Sequence, residues 1–274
     1  MSAPSRLLSL RATLRATLRG TLALALCLWT GVPGGAAPPR ALAIAAAADL
    51  QFAMAEMKAA FLQARPDLEV TVTYGSSGNF YAQLMNKAPF DLFLSADLSY
   101  PKKLVEAGLA DAATEFRYSR GLLVLWVPKD SAIPVEALGM KALLHPAARR
   151  VAMANPRHAP YGRAAEAALA TYGLQDAVKP RLVFGENISQ TAQFVQTGAA
   201  DIGIIALSLA KAPAMAATGR LWPVPESAHP PLDQGGVIPD HAQHRAEALA
   251  FRDFMRSAKG VEILRRFGFV VDGL

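Results

Sequence analysis

Cysteine is nearly absent: among 274 residues the single one is Cys27, inside the apolar run at residues 21–29 (TLALALCLW). One cysteine cannot close a disulfide within the chain, so a disulfide scaffold is excluded. Acidic residues are missing before Asp49, while Arg6, Arg11, Arg15 and Arg19 crowd the first twenty positions. Without those four arginines the formal charge of +6 falls to +2. The remaining chain therefore has no basic excess of the kind nucleic-acid binding needs, and no nucleic-acid partner is expected. A long hydrophobic run is also lacking, because this nine-residue run is too short to span a bilayer. No GxGxxG, P-loop or GxSxG pattern occurs, which removes the usual nucleotide cradles and the hydrolase nucleophile elbow.

The arginine-bearing start, the short apolar run and Gly34-Gly35-Ala36-Ala37 read as a secretory signal over residues 1–37. Pro38 disfavours a cut directly after Ala37, which leaves the cleavage position open. Leu26 before Cys27 argues against lipid attachment. Removal of this segment would leave a mature chain with no thiol.

What is present is a repeated strand-to-helix pattern. Residues 68–74 (LEVTVTY) alternate in the β-branched manner of a strand, and residues 75–84 (GSSGNFYAQL) follow with helical spacing. A strand that stops at a small-residue loop and feeds a helix leaves free N–H groups at the positive end of a helix dipole. Such a junction suits an anion, with Ser76 and Ser77 as further donors; the competing reading makes Ser77 a helix N-cap. The same architecture precedes it, with a first strand from about residue 42, small residues at 45–48, Asp49 as expected N-cap, and Met54, Met57 and Phe61 on the apolar face of a helix.

Buried strands are expected at 90–96, 122–127, 151–154, 182–184, 201–206 and 221–224, with an extended segment at 235–238. Helices are expected at about 99–107, 135–144, 162–172, 187–197, 241–257 and 260–266. Strands and helices alternate almost throughout, which makes the class α/β. Leu122 starts a new series of strands and residues 235–238 restore an extended segment before the last helices. This predicts one lobe of residues 41–120 with 236–274 and a second of 121–235.

Three loops stand out, at Ala48-Asp49, 75–79 and 186–189; each precedes a helix and none contains Lys or Arg. If they converge, they can hold a compact dianion through dipoles and hydroxyls alone. Enzyme readings are weaker. His241 and His244 form an HxxH without nearby carboxylates, which fits an exposed helix start better than a metal site, and no spacing of Ser, His and Asp recommends a triad. Tyr161 is either a ligand hydroxyl or a loop aromatic.

The segments AAADLQFAM (46–54), YGSSGNFYAQL (74–84), APFDLFLSAD (88–97), NPRHAPYG (155–162), ENIS (186–189), AADIGIIA (199–206) and RRFGFVV (265–271) together resemble the periplasmic molybdate-binding proteins of bacterial ABC importers. The resemblance spans about residues 41–272. It implies a two-lobed type II periplasmic-binding-protein fold, each lobe a mixed, mostly parallel sheet flanked by helices. The implied function is a receptor, not an enzyme, that captures molybdate or tungstate and delivers it to an inner-membrane ABC permease. It implies a periplasmic monomer without a cofactor; phosphate or sulfate receptors, and less so a small hydrolase using Ser77, are the alternatives. By the same resemblance the ligand positions fall on Ala48, Asp49, Ser76, Ser77, Tyr161 and Ile188, all contacting oxyanion oxygens, with no direct metal-ion ligand. A tyrosine found in other members is Ala206 here, a contact Tyr161 can replace. Asp49 departs from the Ser, Thr or Asn usual in the family. Either it turns away to cap its helix and lends only its N–H, the role expected, or it accepts a proton from a protonated oxyanion.

Overall fold

The computed structural model describes residues 40–271; the expected signal segment lies outside them. Ten strands form two five-stranded sheets among these residues. The first is built from β1 (Arg40–Ala47), β2 (Leu68–Gly75), β3 (Leu92–Ser95), β4 (Phe116–Gly121) and β10 (Leu232–Val237); the second from β5 (Leu123–Pro128), β6 (Val151–Ala154), β7 (Leu182–Gly185), β8 (Ile202–Ala206) and β9 (Gly219–Pro223).

The strand orders are β2-β1-β3-β10-β4 and β7-β6-β8-β5-β9. In the first sheet β1 is parallel to β2 and β3, and β10 is antiparallel to β3 and β4. In the second, β6 is parallel to β7 and β8, and β5 is antiparallel to β8 and β9. Each sheet is thus mixed, with one strand reversed. The fold is α/β and two-lobed.

The residues explain these placements. β1 is alanine-rich and buried along its second half, so helices can approach a central strand closely on both faces. β2 alternates buried Leu68 and Val70 with exposed Glu69 and Thr71, as suits an edge strand. Helix α1 (Gln51–Gln63) buries Met54, Met57 and Phe61. They pack with Phe251, Met255, Ile263 and Leu264 of the C-terminal helices. Those helices therefore cover the first sheet. The edge-on ring pair Phe61–Phe251, 5.0 Å between centroids, adds about 1 kcal/mol beyond burial.

The other helices are α2 (Ser77–Met85), α3 (Ser99–Glu106), α4 (Val135–Leu138), α5 (Pro160–Thr171), α6 (Gln175–Val178), α7 (Ile188–Gln196), α8 (Leu207–Ala210), α9 (Pro213–Thr218), α10 (Arg245–Arg256) and α11 (Ala258–Arg266). The expected helix over 135–144 is a short α-helix continued as a 3-10 segment, Gly139–Leu144; Gly139, at φ +54°, interrupts the α geometry. β4 had no counterpart among the expected strands, because Arg117, Ser119 and Arg120 break its apolar pattern.

The chain passes between sheets at Gly121–Leu123 and returns at Leu232. These crossings lie side by side, since Leu232 pairs with Gly121. Among the described residues no helix is long and apolar enough to cross a membrane.

Candidate functional site

The carboxyl ends of the parallel strands deliver the expected loops to one place. A small pocket, with about 190 Å³ of space free of atoms, part of it open to solvent, is lined by residues 47–49, 75–77 and 159–161 with Ala96 and Ile188. The open clefts elsewhere enclose 720 to 890 Å³, so this site suits a compact ligand. All six expected residues, Ala48, Asp49, Ser76, Ser77, Tyr161 and Ile188, stand in its wall. No Lys or Arg does.

Each helix start is set locally. α5 carries Pro160 at its first turn, where the missing N–H costs nothing. Asn187 caps α7 by accepting from Gln190 N at 3.0 Å. Ser77 is not the N-cap of α2: that position is Ser76, and neither makes a side-chain cap bond. Instead Ser77 Oγ accepts from Ala96 N at 3.0 Å, which leaves its own proton for another acceptor. Ser76 Oγ is buried and has no partner among the described residues. The amides of Ser77, Tyr161 and Ile188 lie in first helical turns, where the helix itself provides no acceptor. Donors therefore surround the cavity.

Asp49 corrects an expectation. It does not cap α1, whose N-cap is Leu50; Asp49 lies within a 3-10 turn, Ala48–Leu50, and no side-chain cap bond forms at either start. Its side-chain donors come from distant parts of the chain, while the nearby amides of Asp49 and Leu50 add a smaller pull toward the charged form. Tyr161 Oη donates to Asp49 Oδ2 at 3.0 Å and Gln234 Nε2 donates to the same oxygen at 2.6 Å. Gln234 Nε2 also donates to Tyr161 Oη at 3.2 Å, and Ser119 Oγ donates to Gln234 Oε1 at 3.3 Å. Asp49 Oδ1 has no hydrogen-bond partner among the described residues.

Burial raises the Asp49 carboxyl to about 6, against the pull of the Gln234 and Tyr161 bonds toward the charged form. Burial, then the nearby Asp49 charge, pushes the Tyr161 phenol well above its ordinary value. Tyr161 therefore stays a neutral donor.

Contacts across the cleft hold the two walls together. Gly78 N donates to His158 O at 2.9 Å, and a Cβ on Gly78 would sit 2.8 Å from that oxygen, so only glycine fits this approach. Arg163 on α5 pairs with Asp97 at 2.6 Å and donates to Tyr100 Oη at 3.1 Å. Ser189 Oγ donates to Gln51 Oε1.

The sequence model for bacterial extracellular solute-binding proteins matches residues 42–270. The molybdate-binding protein ModA of Rhodobacter capsulatus is 38% identical over 74% of this chain and 78% of its own length. ModA of Azotobacter vinelandii is 34% identical, over 90% and 96%. The chain belongs to the family of bacterial molybdate-binding proteins. The solved structure of the Azotobacter vinelandii periplasmic molybdate-binding protein superposes with a TM-score of 0.79 at 31% identity, covering 85% of this chain and all of that one.

Within this family frame, the residues missed by sequence reasoning are Gln234, Ser119 and Ser208. Gln234 sits in β10, where its polar side chain is fully buried; glutamine before two glycines carried no local signal. Ser208 Oγ donates to Asp49 O at 2.8 Å and anchors the turn from α8. The HxxH pair lies elsewhere: His241 Nε2 is 2.8 Å from Ala88 O, and His244 meets buried Asp91.

Proposed function

We propose that this protein is the periplasmic receptor of an ABC importer, binding molybdate, and tungstate alike, between its lobes and presenting it to the permease. The observation that carries this reading is the small cavity at which three helix N-termini and two serine hydroxyls converge without a cation. About five to seven hydrogen bonds to a charged ligand at roughly 1.5–2 kcal/mol each give a gross 8–14 kcal/mol. That range reaches micromolar to nanomolar affinity before ordering costs. The names and similarity of the relatives agree with it.

Residues 1–37 are then an export signal, and 41–120 with 236–274 and 121–235 are the two lobes. The paired crossings at Gly121 and Leu232 act as the hinge about which they close. The receptor is monomeric and does no chemistry: Ser77 Oγ already accepts from an amide, and no histidine lines the cavity to take its proton. Titration calorimetry of the cleaved protein with molybdate, tungstate, sulfate and phosphate tests the reading. Tight heats are expected for the first two. Absence of heat with all four, with ester turnover lost in Ser77→Ala, would overturn it.

A further inference from the structure

The wall of the cavity carries one acidic side chain and no basic one. Asp49 is 1% exposed and is fixed through Oδ2 by Tyr161 and Gln234, while its buried Oδ1 has no hydrogen-bond partner among the described residues. The groups facing it are Tyr161 from α5, Gln234 from β10, the backbone amides of Asp49 and Leu50, which favour its charged form, Tyr118 of β4, which feels its charge, and Ser208 of α8 on its backbone carbonyl. None is a cation. An ionised carboxylate cannot donate and would repel a dianion at close range; the same carboxyl in its acid form offers an O–H where Oδ1 now has nothing.

Resting on the oxyanion reading above, we propose that the cavity binds a fully deprotonated tetrahedral dianion together with one proton from solvent, held on Asp49 Oδ1 and donated to an anion oxygen. Asp49 is then a specificity-determining donor, doing as an acid what a neutral hydrogen-bonding side chain would do. The proton comes from water or buffer, and no bond other than O–H changes. Two features of the site favour this state. Burial already lifts the carboxyl to about 6, and a dianion alongside lifts it further. Tyr161 and Gln234 both donate to Oδ2, so the proton belongs on Oδ1.

The linkage has a definite sign. Below about pH 6 Asp49 is already protonated, and affinity is flat. Above it each bound anion must take a proton from solvent, so the molybdate Kd rises about tenfold per pH unit. The test is calorimetry of the wild-type protein with sodium molybdate from pH 5.5 to 8.5, in pairs of buffers with different ionisation enthalpies. Uptake of close to one proton per anion at pH 8 is expected, with the tenfold slope. Asp49→Asn carries a permanent N–H donor and keeps an oxygen for Tyr161 and Gln234; it should bind molybdate with a flat pH profile, no proton uptake, and at least tenfold more tightly than wild type at pH 8. Binding by the wild type with a flat Kd and no proton uptake overturns the inference alone, as does an unchanged slope in Asp49→Asn. No molybdate heat at any pH overturns the proposed function, and this inference with it.

Discussion

Gly121 and the Tyr161 hydroxyl share a space that holds no further carbon: a Cβ at position 121 would stand 2.1 Å from Tyr161 Oη and 2.6 Å from Gln234 Nε2. The end of β4 is thereby the floor on which the Asp49–Tyr161–Gln234 cluster rests. Gly121→Ala should push both side chains off Asp49. An overpacking cost of about 1–3 kcal/mol is expected, read as a fall in the urea midpoint. Molybdate affinity should fall at least tenfold in calorimetry. An unchanged affinity would mean that the cluster does not shape the cavity.

Tyr161→Phe removes one of the two donors that hold Asp49 Oδ2. Loss of a bond to a charged group costs about 1.5–3 kcal/mol. Because that bond favours the ionised carboxyl, the loss should be larger at pH 7.5 than at pH 5, where Asp49 is mostly protonated. Urea denaturation at both pH values measures it. An equal loss at both would show that Asp49 does not titrate between them.

Asp49 itself should make the ligand-free protein less stable as pH rises. Its folded carboxyl is raised from 3.8 to about 6, so the folded state binds the proton more tightly than the unfolded chain. Stability from this group is greatest below pH 4 and falls between about 4 and 6, by roughly 3 kcal/mol for a shift of this size. Asp49→Asn removes the penalty. The variant should gain about 1–3 kcal/mol at pH 7.5 and nothing near pH 4, provided the fold survives acid, as circular dichroism would show. A loss at pH 7.5 would contradict the buried-charge account.

Arg163 ties the second lobe to Asp97 and Tyr100 of the first. Both ends of the ion pair are partly exposed, with side chains 39% and 29% accessible, so Arg163→Ala should cost at most about 1 kcal/mol. That cost falls on closure. The expected outcome is up to about fivefold weaker molybdate binding, expressed in a faster off-rate by stopped flow, with the melting temperature of the ligand-free protein nearly unchanged.

How much of this was legible beforehand differs between elements. The strands at 151–154 and 202–206 and the helix starts at Ser77, Pro160 and Ile188 follow from local rules: apolar runs, small-residue loops and capping residues act within a few positions of the chain. β4 escaped because its sequence alternates poorly; pairing with β10, not propensity, makes it a strand. The loops at 48–49, 75–79 and 186–189 were legible as strand-to-helix junctions, a feature written in neighbouring residues, whereas the six cavity residues, Tyr161 above all, were named through the family resemblance and not by local rules.

Asp49 marks the boundary between the two kinds of information. An Asp ahead of a helical run reads as an N-cap when only near neighbours are considered. Its actual donors lie 112 and 185 residues away, brought together only when β10 inserts between β3 and β4 and α5 packs against β10. The sequence alone determined that anion-seeking helix starts exist, because backbone dipoles and caps are local. Only the tertiary structure decided that they meet around a buried carboxyl with a free oxygen, because desolvation and long-range hydrogen bonds arise from packing.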